Sequence, residues 1–318
     1  MKKLKILLIG CWICAALTAP AQALTLGGNA VGLELFTGRV SVAAIDEALG
    51  APCREAGLQP GDELLSIDGR EIARGEDVAD ALLRSKGTVE LRISRDGEER
   101  TLRVSPQITA DGPKLGLFLR QGVTGLGTAT YYDESGGSFG ALGHGVNDAQ
   151  GKLLPITGGE VYNAKILSVR KGESGKPGQL LGALTGDTPV GQVQENCEQG
   201  VFGTASAPEG AQEISAASAG EIHTGAATVR CTVSGTEARE YSVEILKIYP
   251  KANRSGRNLL LKVTDPALLE ATGGIVQGMS GSPILQDGKL VGAVTHVLVG
   301  DPTTGYGIFI ENMLAAAS

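Results

Sequence analysis

Glycine spacing limits what this chain can fold into more than any other feature. From Lys114 onward, short apolar runs are cut by glycines: GLGTATYYD, SFGALGHGV, KILSVRKG, GQVQENCEQGVFGTAS, TVRCTVSG, EYSVEILKI and NLLLKVTD. With 47 glycines in 318 residues and many short Val/Ile/Leu runs, turn-rich β structure is favoured over helical bundles. The spacing predicts an all-β sandwich or barrel, and no helical repeat competes with it. The chain is long enough for two domains, each burying its own core. A formal net charge of -7, with no block of like charge, argues against nucleic acid as a partner, because phosphate binding needs clustered Lys and Arg.

The N-terminus has the layout of an export signal. Lys2, Lys3 and Lys5 form a basic start, Ile6 to Ala19 an apolar run, and Ala21-Gln22-Ala23 a cleavage pattern. The run is shorter than the roughly 20 residues a bilayer crossing needs. Export across the cytoplasmic membrane is therefore expected, with residues 1–23 either removed after Ala23 or kept as a membrane anchor. Leu8-Ile9-Gly10-Cys11 also resembles a lipoprotein box, but it leaves only a short apolar segment before the cysteine.

Cys11 and Cys14 would leave with the signal, so Cys53, Cys197 and Cys231 remain. A Cys197–Cys231 disulfide stays open. The set is too sparse for a disulfide framework, and small buried hydrophobes are the expected role. His144, His223 and His296 are far apart, with no H-E-x-x-H and no CxxC pair among the residues that remain, so neither a metal nor another cofactor is expected.

Residues 27–108 read as one module. VGLELF and VSVAAI are followed by AGLQPGDELLSIDGREI, then by EDVADALLRS with Val78, Leu82 and Leu83 at helical spacing. TVELRISRDGEERTLRV closes it as two alternating strands around Asp96-Gly97, a dipeptide that favours a tight hairpin turn. The module resembles a PDZ domain, with Gly61-Asp62 turning into the strand Glu63 to Ile67 and Asp68-Gly69 turning out of it. The resemblance implies that Gly32-Leu33-Glu34-Leu35 is the carboxylate-binding loop and that an extended peptide adds as a strand at the domain's edge.

The C-terminal stretch VQGMSGSPILQDGKLVGAVTH holds the chemistry. Glycines flank Ser280 in a turn that can aim the N–H groups of Gly278 and Ser280 at one point, as stabilising an oxyanion requires. A serine hydroxyl is inert near neutral pH without a base, usually histidine. His144, in the glycine-rich GALGHGVND, suits an exposed loop. A hairpin turning at Asp287-Gly288, a strand in TGYGIFIENML and a terminal helix follow. This succession is similar to the end of chymotrypsin-like proteases, which implies that Thr295 and His296 line the substrate pocket or its edge.

Taken together, GALGHGVND, the run from LLLKVTDPALLEATGG to DPTTGYG, and the preceding PDZ-like module resemble the stage IV sporulation protein B peptidase family. The likeness covers nearly the whole chain after the signal. It implies a small α+β PDZ domain followed by a chymotrypsin-like double β-barrel over residues 114–318. It also implies a serine endopeptidase with Ser280 as nucleophile and His144 as general base, exported from the forespore into the space facing the mother cell. Such an enzyme cleaves itself and a membrane-bound regulator of an intramembrane metalloprotease, and so triggers late sigma-factor activation. The acidic member is open: Asp265 matches the family position, Asp148 and Asp187 are alternatives, and a backbone carbonyl or Asn147 could serve instead. A non-catalytic peptide-binding scaffold is the competing reading, told apart by whether Ser280 reacts.

Overall fold

The computed structural model describes residues 23–133, 135–148, 150–250 and 257–317, so the leader expected in residues 1–23 lies, but for Ala23, outside the described residues. β1 (Ala23–Leu26) and β2 (Ala30–Ile45) come first. α1 (Ala51–Glu55), β3 (Glu63–Ile67), β4 (Arg70–Glu71), α2 (Gly75–Arg84), β5 (Val89–Arg95) and β6 (Glu98–Val104) follow. A small hairpin of β7 (Gln107–Thr109) and β8 (Gly112–Lys114) leads into β9 (Leu117–Asp133). β9 runs antiparallel to β2, from Leu117 opposite Ile45 to Thr128 opposite Ala30. The register shifts between Phe36 and Ser41, so the two strands form a ribbon with a break near its middle.

Each half of this ribbon belongs to a different domain. The half holding Val40–Ile45 and Leu117–Arg120 extends through β3, β5 and β6 into a small sheet. Val40, Leu64, Ile67, Leu91 and Ile93 of that sheet share a buried core with Val78 and Leu82 of α2. Val78 and Leu82 thus face inward as their spacing predicts, while Leu83 is exposed. The turn dipeptides behave as read: Asp68-Gly69 and Asp96-Gly97 all take positive φ, the backbone of the type I′ hairpin turn.

The other half of the ribbon enters a closed barrel. β10 (Ser138–Ala141), β11 (Gly158–Arg170), β12 (Gln179–Leu184), β13 (Gly191–Cys197) and β14 (Gly200–Ala205) come next. The ring runs β9-β10-β14-β13-β11-β2 and closes through the β9–β2 pairing, with β12 added outside β11. Its core includes Leu33, Leu35, Phe139, Val161 and Val193. β15 (Glu213–Ser215) pairs with β1 in the segment between the barrels.

The second barrel is built from β16 (Gly225–Cys231), β17 (Arg239–Ile248), β18 (Leu259–Val263), α3 (Pro266–Thr272), β19 (Pro283–Gln286), β20 (Lys289–Leu298) and β21 (Asp301–Phe309), followed by α4 (Ile310–Ala316). Its strands close in the order β16-β17-β18-β21-β20-β19. The fold is thus mainly β, with a PDZ domain and two six-stranded barrels, as read from the sequence. Residues 30–36 and 122–133 pair as barrel strands, so the PDZ sheet is inserted between two neighbours of the first barrel. Cys53, Cys197 and Cys231 are all free thiols, which removes the Cys197–Cys231 disulfide. Burial pushes the Cys231 thiol up to about 12.

Candidate active site

Ser280 lies in the turn between α3 and β19, pressed against the first barrel. Gly281 has φ 93°, and a Cβ there would meet Thr128 O at 2.0 Å and Leu142 N at 2.5 Å. Glycine is required for so close an approach. β9 carries the turn by hydrogen bonds: Thr128 N–H donates to Ser280 O (3.0 Å), Thr128 Oγ1 to Gly278 O (2.9 Å) and Thr130 Oγ1 to Gly281 O (2.8 Å). Ser280 Oγ donates to the carbonyl of Thr295 on β20 at 2.9 Å. The N–H groups of Gly278 and Ser280 have no protein acceptor among the described residues.

His144 arrives from the first barrel by a strained path. Leu142 and Gly143, which follow β10, take φ of 68° and 69°, a conformation leucine rarely adopts. Leu142 is wedged between barrels: a Cβ on Gly127 would touch its Cδ2 at 2.2 Å, and Gly281 crowds its backbone. His144 Nδ1–H donates to Gly145 O at 2.8 Å, an assignment that leaves Nε2 as the acceptor. Burial holds the imidazole below its ordinary pKa, opposed by the Gly145 hydrogen bond. Asn196 on β13 secures the loop beyond it, accepting from Val146 N (2.8 Å) and donating to Val146 O and Leu154 O (both 2.9 Å). No motif marks Asn196 in the sequence; its role follows only from burial and pairing.

Ser280, His144, Gly278, Thr295 and His296 all line one cavity of about 410 Å³ whose remaining walls are mostly aliphatic. The His144 and His296 rings lie 4.9 Å apart between centroids, tilted by 38°. The carboxylates expected behind His144 are engaged elsewhere. Asp265 is the N-cap of α3, accepting from Ala267 N (2.9 Å) and Leu268 N (3.1 Å), and from Ser242 N at 3.1 Å. Asp148 pins its own loop through Gln150 N and Lys152 N, both at 2.9 Å. Asp187 lies near Tyr162, whose phenol is pushed up mainly by its hydrogen bond to Glu160, and the Asn147 backbone bridges Leu153. The backbone carbonyl of Gly145 is the group that fixes the His144 tautomer.

Gly32-Leu33-Glu34-Leu35 is a correction. These residues form the first half of β2, paired with β11 on one side (Gly32 opposite Tyr162, Leu35 opposite Gly159) and with β9 on the other (Gly32 opposite Leu126, Leu35 opposite Val123). A strand with both edges occupied has no free N–H row for a peptide carboxylate. Leu33 and Leu35 instead wall the cavity beside Ser280. The PDZ domain's own groove lies between α2 and the start of β9, lined by Val78, Leu82, Leu83, Leu115 and Phe118. It is entered by Leu115-Gly116-Leu117-Phe118, where Gly116 has φ 65° and stands against the Leu49–Gly50 backbone. The string KLGLFLR could have flagged it, had a strand C-terminal to the module been considered.

The family model of the SpoIVB peptidase S55 matches residues 112–314, and that of the PDZ domain residues 28–105. The chain belongs to the SpoIVB peptidase S55 family. Shorter similarities join this S55 member to other proteins. A zinc metalloprotease of Rhizobium meliloti (strain 1021) is 35% identical over 99 residues, which is 31% of this chain and 25% of that one. Mitochondrial serine protease HTRA2 of Bos taurus is 38% identical over 61 residues, 19% of this chain and 13% of that one. The chain therefore spans a quarter or less of either relative. Among solved structures, the inactive form of the Rv3671c protease overlaps at a TM-score of 0.35 and 14% identity, covering 61% of this chain and 84% of that one.

Proposed function

We propose that the protein is an exported serine endopeptidase with Ser280 as nucleophile, His144 as general base and the amides of Gly278 and Ser280 as oxyanion donors. The observation that carries this reading is the convergence of a serine from one barrel and a histidine from the other on one cavity beside two unpaired amides. Turnover begins when Ser280 Oγ rotates from the Thr295 carbonyl toward His144 Nε2. Nε2 takes the hydroxyl proton as Oγ bonds to the scissile carbonyl carbon, and the carbonyl oxygen becomes the oxyanion. The same nitrogen then returns the proton to the leaving amine, giving an acyl-enzyme that water opens by the reverse sequence.

Family membership and the sequence resemblance support the physiological part of the proposal. The enzyme acts in the space between forespore and mother cell, cleaves itself, and cleaves a membrane-bound regulator of an intramembrane metalloprotease to trigger late sigma-factor activation. The groove at Leu115–Phe118 receives an extended peptide and so selects or restrains the substrate. The decisive experiment is treatment of the purified protein with diisopropyl fluorophosphate. Stoichiometric labelling at Ser280, with labelling and self-cleavage both lost in His144→Ala, is the expected result. An unlabelled, correctly folded protein would leave a peptide-binding scaffold as the function.

A further inference from the structure

The bulge in β20 reaches both Ser280 and the His144 segment. Register along β20 and β21 slips between Val294 (opposite Gly307) and His296 (opposite Tyr306), so Thr295 is the extra residue. Bulges of this kind re-aim side chains beside active sites. Here the Thr295 carbonyl holds the Ser280 hydroxyl, and its side chain abuts Gly143, the residue before His144. The next residue, His296, sets its ring against that of His144 at a tilt of 38°. Among the described residues no carboxylate hydrogen-bonds to His144, so the side chain against its ring is a second imidazole.

His296 is also a costly choice for mere packing. Its Nδ1 is buried without a hydrogen-bond partner, and an unpaired buried polar atom is destabilising where an aromatic hydrocarbon of like size would not be. Burial, the neighbouring His144 and Arg257, which stacks on Tyr306 across the strand, together push the His296 imidazole down to about 4. The ring beside His144 is therefore uncharged at neutral pH.

We infer that His296 is a positioning residue for His144, its ring contact holding the general-base imidazole so that Nε2 can reach Ser280. A buried carboxylate would hold such a histidine by charge; His296 holds it by contact, and Gly145 O supplies the tautomer. The inference rests on the roles proposed for Ser280 and His144, and it goes beyond pocket lining because it concerns the base rather than the substrate.

The test is the rate of Ser280 labelling by diisopropyl fluorophosphate, a probe too small to report peptide specificity. His296→Ala should slow labelling by about 10–100-fold, a part of the 10²–10⁴ that a well-placed base contributes. His296→Phe should recover most of that loss by restoring the ring contact. His296→Asp should move the acid limb of the labelling rate up by about one pH unit, because a carboxylate beside an imidazolium favours the charged form. Melting curves of all three variants separate these effects from unfolding. Folded His296→Ala labelling at the wild-type rate, or an unmoved acid limb in folded His296→Asp, would overturn the inference while leaving Ser280 and His144 standing. If wild-type protein itself fails to label, the underlying catalytic reading falls instead.

Discussion

At the scale of single residues, Asp265 is the sharpest departure from the family expectation. Its oxygens are spent on the N–H groups of Ala267, Leu268 and Ser242, so its work is to start α3, the helix that leads into the serine turn. Losing such a cap costs about 1 kcal/mol. Asp265→Ala should therefore lower Tm and slow labelling modestly. Asp265→Ser, which can still cap, should restore both; loss of a true triad acid would instead cost about 10⁴ in rate and would not be rescued by serine. A chemical denaturation series with labelling rates on both variants distinguishes the two.

Titration of the two imidazoles follows from their burial. Both His144 and His296 sit below the ordinary histidine value of about 6.5. As pH falls below that value the unfolded chain takes up protons that the folded chain refuses, so stability drops through the window from about 6.5 to about 4. Activity, which needs His144 uncharged, should persist somewhat below pH 6.5 and then fail. Tm measured against pH should slope downward toward acid, and His296→Phe should flatten part of that slope; an equal slope in both proteins would contradict the placement of His296.

At the scale of elements, much could be read from local chemistry. The three Asp-Gly turns, α2 with Val78 and Leu82 inward, the glycine-cut strands and the short terminal helix all follow from rules acting over a few residues. The serine turn was legible for the same reason: its glycines serve the local backbone. The carboxylate loop was misplaced because Gly32–Leu35 and Leu115–Phe118 carry similar residues, and only long-range pairing decides which one keeps a free edge. The orienting partner of His144 was illegible too, since a backbone carbonyl leaves no mark in a sequence. Asn196 belongs to this class. Replacing it with alanine strips three partners from the loop after His144 and should cost on the order of 3 kcal/mol, seen as a drop in denaturation midpoint with slower labelling.

At the scale of the whole molecule, the β2–β9 ribbon makes the two domains share strands. A fragment of residues 27–108 lacks Leu117–Arg120, one of the strands of the PDZ sheet and the edge of its groove, and should remain largely unfolded by circular dichroism. Residues 37–121 include both ribbon segments of that sheet and should fold alone. A folded 27–108 fragment would refute the strand sharing.

The insertion also governs what a nick can release. The barrel's Ala30–Phe36 strand precedes the PDZ sheet in the chain, while its neighbours on both sides come after it. A single break between residues 37 and 117 therefore yields two pieces that stay laced together, parting in denaturant but not in native buffer.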